Sequence, residues 1–232
     1  MITKRPAAAR GHFDHGWLKT WHSFSFAEYH DPAEMGWSSL RVINDDIVAP
    51  ESGFGRHGHR DMEIVTYVLS GPLQHGDSMQ NGTVIRRPEV QRMSAGRGVM
   101  HSEFNASTSE SVHLLQIWIE PDVRGIEPEY EQRPYPDAAK RGRWLPIVTP
   151  DGRDGSMRIH QNASLYATLL EPGEELVQTL ASGRCAYLHV VAGDVLLNGA
   201  PYAAGDGAKI ENESRLALAA RGAAEVLLFD LP

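Results

Sequence analysis

Short β-type runs recur from one end of this chain to the other, and no stretch carries a sustained helical period. Residues 40–48, 63–69, 83–86, 90–93 and 112–119 are rich in β-branched and aromatic residues or alternate apolar with polar ones. The same holds for residues 144–148, 165–170, 187–191, 195–197 and 225–230. A period of two is what a strand with one buried face requires. Gly, Asn, Asp and Pro separate the runs. Asn81-Gly82 and Asn198-Gly199 read as hairpin turns, because both residue types tolerate positive φ. Many short strands at close spacing build barrels or sandwiches, so an all-β fold is expected, with one short helix near residues 137–141.

Residues 129–142 are rich in charge and proline and interrupt the strand pattern near the middle of the 232 residues. Such a segment reads as an interdomain linker. The expected organisation is an N-terminal barrel over residues 1–133, a linker over 134–142 and a C-terminal barrel over 143–232. Several strands in each half suggest a duplicated barrel, although no repeat of fixed period is visible. The first 35 residues stand apart, being rich in histidine and aromatics and poor in strand signals.

Composition excludes some classes of function. The formal net charge of −8 and the lack of a long basic cluster argue against nucleic-acid binding, which relies on a basic surface. No apolar run approaches the roughly 20 residues of a membrane-spanning helix. The first ten residues lack the apolar stretch of a signal peptide, so a cytoplasmic location is expected. Cys185 is the single cysteine, which rules out an intrachain disulfide. Its neighbours Ala186, Tyr187 and Leu188 suggest a buried, inert thiol in a strand.

Two short constellations carry chemistry. His57-Gly58-His59 is an i, i+2 pair, and on a strand both imidazoles share one face. His101-Ser102-Glu103 repeats the geometry with a carboxylate. Two such strands can bring four donors around one point, and neutral imidazole with carboxylate suits a divalent transition metal. Gly53, Gly55 and Gly58 surround the first pair, and Gly96 and Gly98 precede the second, which permits tight turns at a barrel rim. With 11 histidines in the chain, ordinary packed or surface histidines explain an HxH pair as well, and the residues alone leave both readings open.

The other candidates have plainer explanations. His12 and His15 suggest a second ion site, but packing within the irregular opening segment accounts for them better. His22 lies between Trp21 and Ser23 and reads as a packed histidine. His75 and Asp77 fall near a hairpin, where a solvated turn is the default. His113 shares a strand face with Leu115, Ile117 and Ile119 and reads as a satisfied core histidine. Asp45 and Asp46 fit either a pocket wall or the end of a strand. The C-terminal half holds only His160 and His189, with no ligand spacing, so a barrel without metal is expected there.

The chain resembles the cupins and, more specifically, the shorter bacterial branch of the pirin family. The first cupin motif is matched by His57, His59, Glu63 and, one residue late, Gly71. In the second, Gly96 replaces a proline, and Gly98, His101 and Asn105 match. The pirin likeness rests on residues 10–26 (RGHFDHGWLKTWHSFSF), 41–46 (RVINDD), 54–59 (FGRHGH) and 93–103 (MSAGRGVMHSE). It spans nearly the whole chain and is strongest before residue 135. The resemblance implies a bicupin, two antiparallel jelly-roll-like β-barrels packed together, with metal in the first alone. It also bears on the carboxylate. Most cupins take it from the first motif, here Glu63; pirins take it from the second, here Glu103. His57, His59, His101 and Glu103 are therefore the expected ligands, with Glu63 outside them as a supporting group.

The resemblance implies an enzyme of the quercetin 2,3-dioxygenase type, with a flavonol-like aromatic substrate and O2, and with Glu103 as the catalytic base. Iron is the metal it points to first, while Ni, Mn, Co, Cu and Zn suit the same donors. The competing class is a metal-dependent regulatory or small-molecule-sensing protein without turnover, for which a protein partner stays open.

Overall fold

The computed structural model describes all 232 residues. It contains 22 strands, one short helix and two 3-10 turns. The chain forms two compact units. One comprises residues 11–135 and 159–161, the other residues 1–10, 136–158 and 162–232.

The strands of the first unit are β2 (Gly11–Asp14), β3 (Leu18–His22), β4 (Leu40–Val48), β5 (Gly53–His59), β6 (Glu63–Ser70), β7 (Leu73–Asp77), β8 (Gly82–Ile85), β9 (Glu89–Ser94), β10 (Val99–Asn105), β11 (Val112–Ile119) and β12 (Glu129–Pro134). A seven-stranded sheet has the order β12-β9-β6-β11-β4-β3-β2, and a four-stranded sheet has β5-β10-β7-β8. Every pairing is antiparallel. The central strands β6 and β11 carry Ile64, Val65, Leu114, Leu115 and Ile117 into the interior. One face of the core is closed by Val48, Val68, Leu73, Ile85 and Val112.

The second unit repeats the plan. It is built from β1 (Ile2–Arg5), the helix α1 (Asp137–Lys140), β13 (Leu145–Thr149), β14 (Met157–Arg158), β15 (Ser164–Leu170), β16 (Glu175–Thr179), β17 (Cys185–Ala192), β18 (Asp194–Leu197), β19 (Ala200–Ala203), β20 (Gly207–Glu211), β21 (Arg215–Ala220) and β22 (Ala224–Leu231). Its sheets are β1-β20-β17-β22-β15-β13-β14 and β16-β21-β18-β19. The short β13–β14 pairing is parallel and the others are antiparallel. Leu188, Val190, Val195, Leu197, Leu216, Leu218, Val226 and Leu228 fill its interior. Asn198 and Gly199 form the two-residue turn between β18 and β19, with φ of 47° and 83°.

The structure departs from the sequence expectation in four places. Residues 1–10 do not join the N-terminal barrel: β1 pairs with β20, Ile2 opposite Ile210. Residues 129–134 are not linker but strand β12, which pairs with β9. Its charges are met across the ladder, where Arg92 bonds Glu129 and Glu131 at 3.1 Å each, and Pro134 sits at the strand end, where a missing N–H costs little. His160, counted with the C-terminal half, lies in the first unit with its Nε2 3.3 Å from Glu129. The connection near Asn81-Gly82 is longer than a two-residue turn, and its positive φ falls on Gln80.

Candidate metal centre

Strand β10 runs between β5 and β7, and the ladders fix which side chains meet. His101 stands opposite His57 on one side and Asp77 on the other, and Glu103 stands opposite His75. Alternation along β10 buries Val99, His101, Glu103 and Asn105 while Met100 and Phe104 face out. The two strands approach closely at Gly53, where an added Cβ would lie 2.2 Å from the Glu103 carbonyl oxygen.

His57, His59 and His101 converge. Their ring centroids lie 4.4 to 4.8 Å apart, and the Nε2 atoms of His57 and His101 are separated by 3.0 Å. The Gly55 carbonyl can only accept, so His57 Nδ1, 2.8 Å away, carries the proton and Nε2 keeps its lone pair. One donor atom from each of the three lies within 4.8 Å of the others. Glu103 lies beside His101, but its mutual group within the same distance is His75, His101 and Glu103. Three of the four expected ligands therefore meet at one point, and the fourth meets His101 together with His75, which is buried rather than in the solvated turn expected for it.

Glu103 is held by neutral groups. Gln116 Nε2 donates to Oε2 at 2.9 Å, and the Thr66 hydroxyl lies 3.4 Å from Oε1. Thr66 and Gln116 are themselves partners across the β6–β11 ladder, so the larger sheet supports the carboxylate. Burial, and then the nearby Asp46, push its pKa up to about 7. Burial also raises Asp46 to about 7. Burial and the neighbouring imidazoles lower His101 to about 3; burial and His57 lower His59 to about 4. His101 Nδ1 is buried with no hydrogen-bond partner. Neutral imidazoles, an unpartnered ring nitrogen and a buried carboxylate bonded only by uncharged groups are a donor set that a divalent cation completes.

Glu63 belongs to neither group. It is buried on β6 and accepts from Ser94 Oγ at 2.7 Å, next to Arg92. His75 and Asp77 are the residues that sequence reasoning missed: both side chains are fully buried and bonded at 2.9 Å. Their shared i, i+2 spacing with the other two pairs was the available signal. His12 stacks on Trp21, His15 on Phe13, and His22 packs between Phe13 and Phe26. His113 is half-buried rather than in the core, bonded to Asp45 at 2.6 Å. Cys185 is half-buried, with Sγ 3.4 Å from the Pro232 carbonyl. An aromatic wall flanks the cluster, with Trp118 edge-on to His59 at 4.9 Å and Phe26 edge-on to Trp118 at 5.2 Å.

Residues 3–119 match the Pirin family, and residues 146–231 match the quercetinase C-terminal cupin domain. The chain belongs to the pirin family. Quercetin 2,3-dioxygenase of Escherichia coli (strain K12) is 49% identical to this pirin over 232 residues, 100% of this chain and 99% of that protein. A pirin-like protein of Caulobacter vibrioides is 39% identical over 231 residues, 99% of each chain. The crystal structure of bacterial pirin YhhW from Escherichia coli in complex with nickel(II) matches this pirin with a TM-score of 0.96 at 47% identity, covering 100% of this chain and 99% of that one. Both units are thus cupins with almost wholly antiparallel sheets, and no helix is long and apolar enough to cross a membrane.

Proposed function

We propose that this pirin is a metal-dependent dioxygenase that opens the heterocycle of quercetin-like flavonols with O2 and releases carbon monoxide. The observation that carries the reading is the convergence of His57, His59 and His101 beside Glu103, on a chain 49% identical to a quercetin 2,3-dioxygenase. His57, His59, His101 and Glu103 would hold the ion. A bound divalent ion supplies Lewis acidity that lowers the pKa of a flavonol hydroxyl. Iron is the ion proposed; nickel(II), which YhhW binds, suits the same donors.

The remaining work falls to the side chains. Glu103, beside His101 at the ion position, is the carboxylate placed to take the hydroxyl proton. Gln116 and Thr66 keep it aimed while it does so. Trp118 and Phe26 offer flat apolar surface for a planar aromatic substrate and help exclude water. The proposed substrate is a small molecule, and the net charge of −8 argues against nucleic acid as its partner. The test is turnover by chelator-treated protein reloaded with iron(II) or nickel(II). Expected are metal-dependent loss of the flavonol absorbance and matching consumption of O2. Tight flavonol binding with no O2 uptake under any metal would overturn the reading in favour of a sensor.

A further inference from the structure

Three i, i+2 pairs lie side by side on neighbouring strands: His57 and His59 on β5, His101 and Glu103 on β10, His75 and Asp77 on β7. The centre proposed above uses the first two. We propose that the third builds an inner cation position, in which His75, His101 and Glu103 hold a divalent transition-metal ion and Asp77 fixes His75 for ligation. This rests on the reading that an ion enters this face of the barrel, and not on flavonol turnover.

The donor atoms of His75, His101 and Glu103 lie within 4.8 Å of one another, and all three residues are buried. Two imidazoles and one carboxylate are a recurrent set for divalent first-row metals. Asp77 is saturated with donors. Its Oδ2 receives His75 Nε2–H and Asn81 Nδ2–H at 2.9 Å each, and its Oδ1 receives the backbone N–H groups of Met79 at 2.8 Å and Asn81 at 3.1 Å. A carboxylate so bonded keeps the His75 proton on Nε2 and leaves the Nδ1 lone pair for a ligand. A histidine whose far nitrogen donates to a carboxylate is the usual arrangement behind a metal-bound imidazole.

Two further observations point to a ligand there. The His75 Nδ1 lone pair meets only Gln91 Nε2, at a long 3.3 Å, while Gln91 Oε1 is buried without a partner. His101 Nδ1 is likewise buried and unpartnered. The ring plane of His75 is set by Tyr130, stacked at 5.0 Å and 29°, whose hydroxyl bonds Thr83 at 2.7 Å. His75 is thus oriented from both sides, by Asp77 at its edge and by Tyr130 on its face. The inner and outer positions share His101 and Glu103, and repulsion between two divalent ions so close together favours occupation by one ion at a time. The outer position adds the half-exposed His57 and His59 and exchanges with solvent; the inner has three buried ligands and releases slowly.

Cobalt(II) titration of the chelator-treated full chain tests this, read by visible absorption and by metal analysis after gel filtration. The His57→Ala/His59→Ala variant is expected to retain one equivalent of cobalt, more weakly than wild type. Adding His75→Ala should bring it to none, and adding Asp77→Asn instead should weaken it about 10- to 100-fold. In the wild-type background, His75→Ala should keep one equivalent but release it to a chelator about tenfold faster. A folded double variant that binds no cobalt, or a triple variant that binds as well as the double, overturns the proposal. Should alanine unfold the protein, His57→Asn/His59→Asn replaces the double variant with the same criteria. Failure of the outer centre reads differently: the double variant would then bind cobalt as tightly as wild type.

Discussion

His57 and His101 are partners across the β5–β10 ladder, and their Nε2 atoms stand 3.0 Å apart. With the His57 proton held on Nδ1 by the Gly55 carbonyl, its Nε2 lone pair points at the other ring. His101 also belongs to both donor groups on this face of the barrel. It is therefore the residue whose loss no rearrangement repairs. His101→Ala is expected to lower metal affinity by more than the roughly 10- to 100-fold typical of supporting residues, and by more than His57→Ala does. Nickel(II) titration followed by calorimetry measures both, and equal losses would mean that His101 is not shared.

The two buried glutamates should separate cleanly. Glu103→Gln keeps the shape and the contact with Gln116 but removes charge and basicity; metal retention should fall and most flavonol turnover should vanish. Glu63→Gln should leave the ion bound, because Glu63 is bonded to Ser94 and stands outside both donor groups. Metal content and rate on the two variants decide the point. Loss confined to the Glu63 variant would return the carboxylate ligand to the first cupin motif.

Much of this was legible in the residues, and the failures have physical causes. Residues 40–48 and 112–119 read as strands to the residue, since β-branched and apolar residues predominate in both β4 and β11. The Asn198-Gly199 turn was legible because its positive φ angles suit those two residues. Strand β12 was not, because Glu129, Glu131 and Arg133 look like a solvated linker until Arg92 is placed beside them. The pairing of β1 with β20 joins residues some 200 positions apart, and nothing local encodes it. His75 and Asp77 were misread for a similar reason: polar residues beside a turn are normally wet, and only the ladder from β7 to β10 buries them.

Stability of the metal-free protein should depend on pH in a defined window. Glu103 and Asp46 are both raised to about 7 in the folded state, so their contribution is full below their ordinary values and is lost as pH rises through about 7. His59 and His101 are lowered to about 4 and about 3, so their contribution is present above the ordinary imidazole value and is lost as pH falls below it. Between about pH 5 and 6 the two effects oppose and the melting temperature should be flat; above about pH 6.5 the carboxylates dominate and it should fall until the pH has passed about 7, then level off. Asp46→Asn should reduce that fall. Saturating metal should reverse it, because ligation favours ionised Glu103. A melting temperature of metal-free protein that climbs steadily from pH 6 to 8 would contradict the assignment.

The close approach of β5 to β10 yields the last prediction. A Cβ on Gly53 would stand 2.2 Å from the Glu103 carbonyl oxygen and 2.5 Å from Phe104 Cα, so the obstacle is backbone and cannot swing aside. Gly53→Ala must push the strands apart at the residue that carries the carboxylate. The expected cost is about 1–3 kcal/mol in urea unfolding, the usual range for overpacking, together with weaker metal binding. Gly55→Ala is the matched control, because nothing lies within 4 Å of its added Cβ. It should unfold within about 1 kcal/mol of wild type and bind metal normally, since Gly and Ala in a strand interior differ by roughly that much at most. If Gly53→Ala loses stability but binds metal as tightly as wild type, strand spacing does not position Glu103. If both variants behave alike, the contact between the strands is looser than the structure shows.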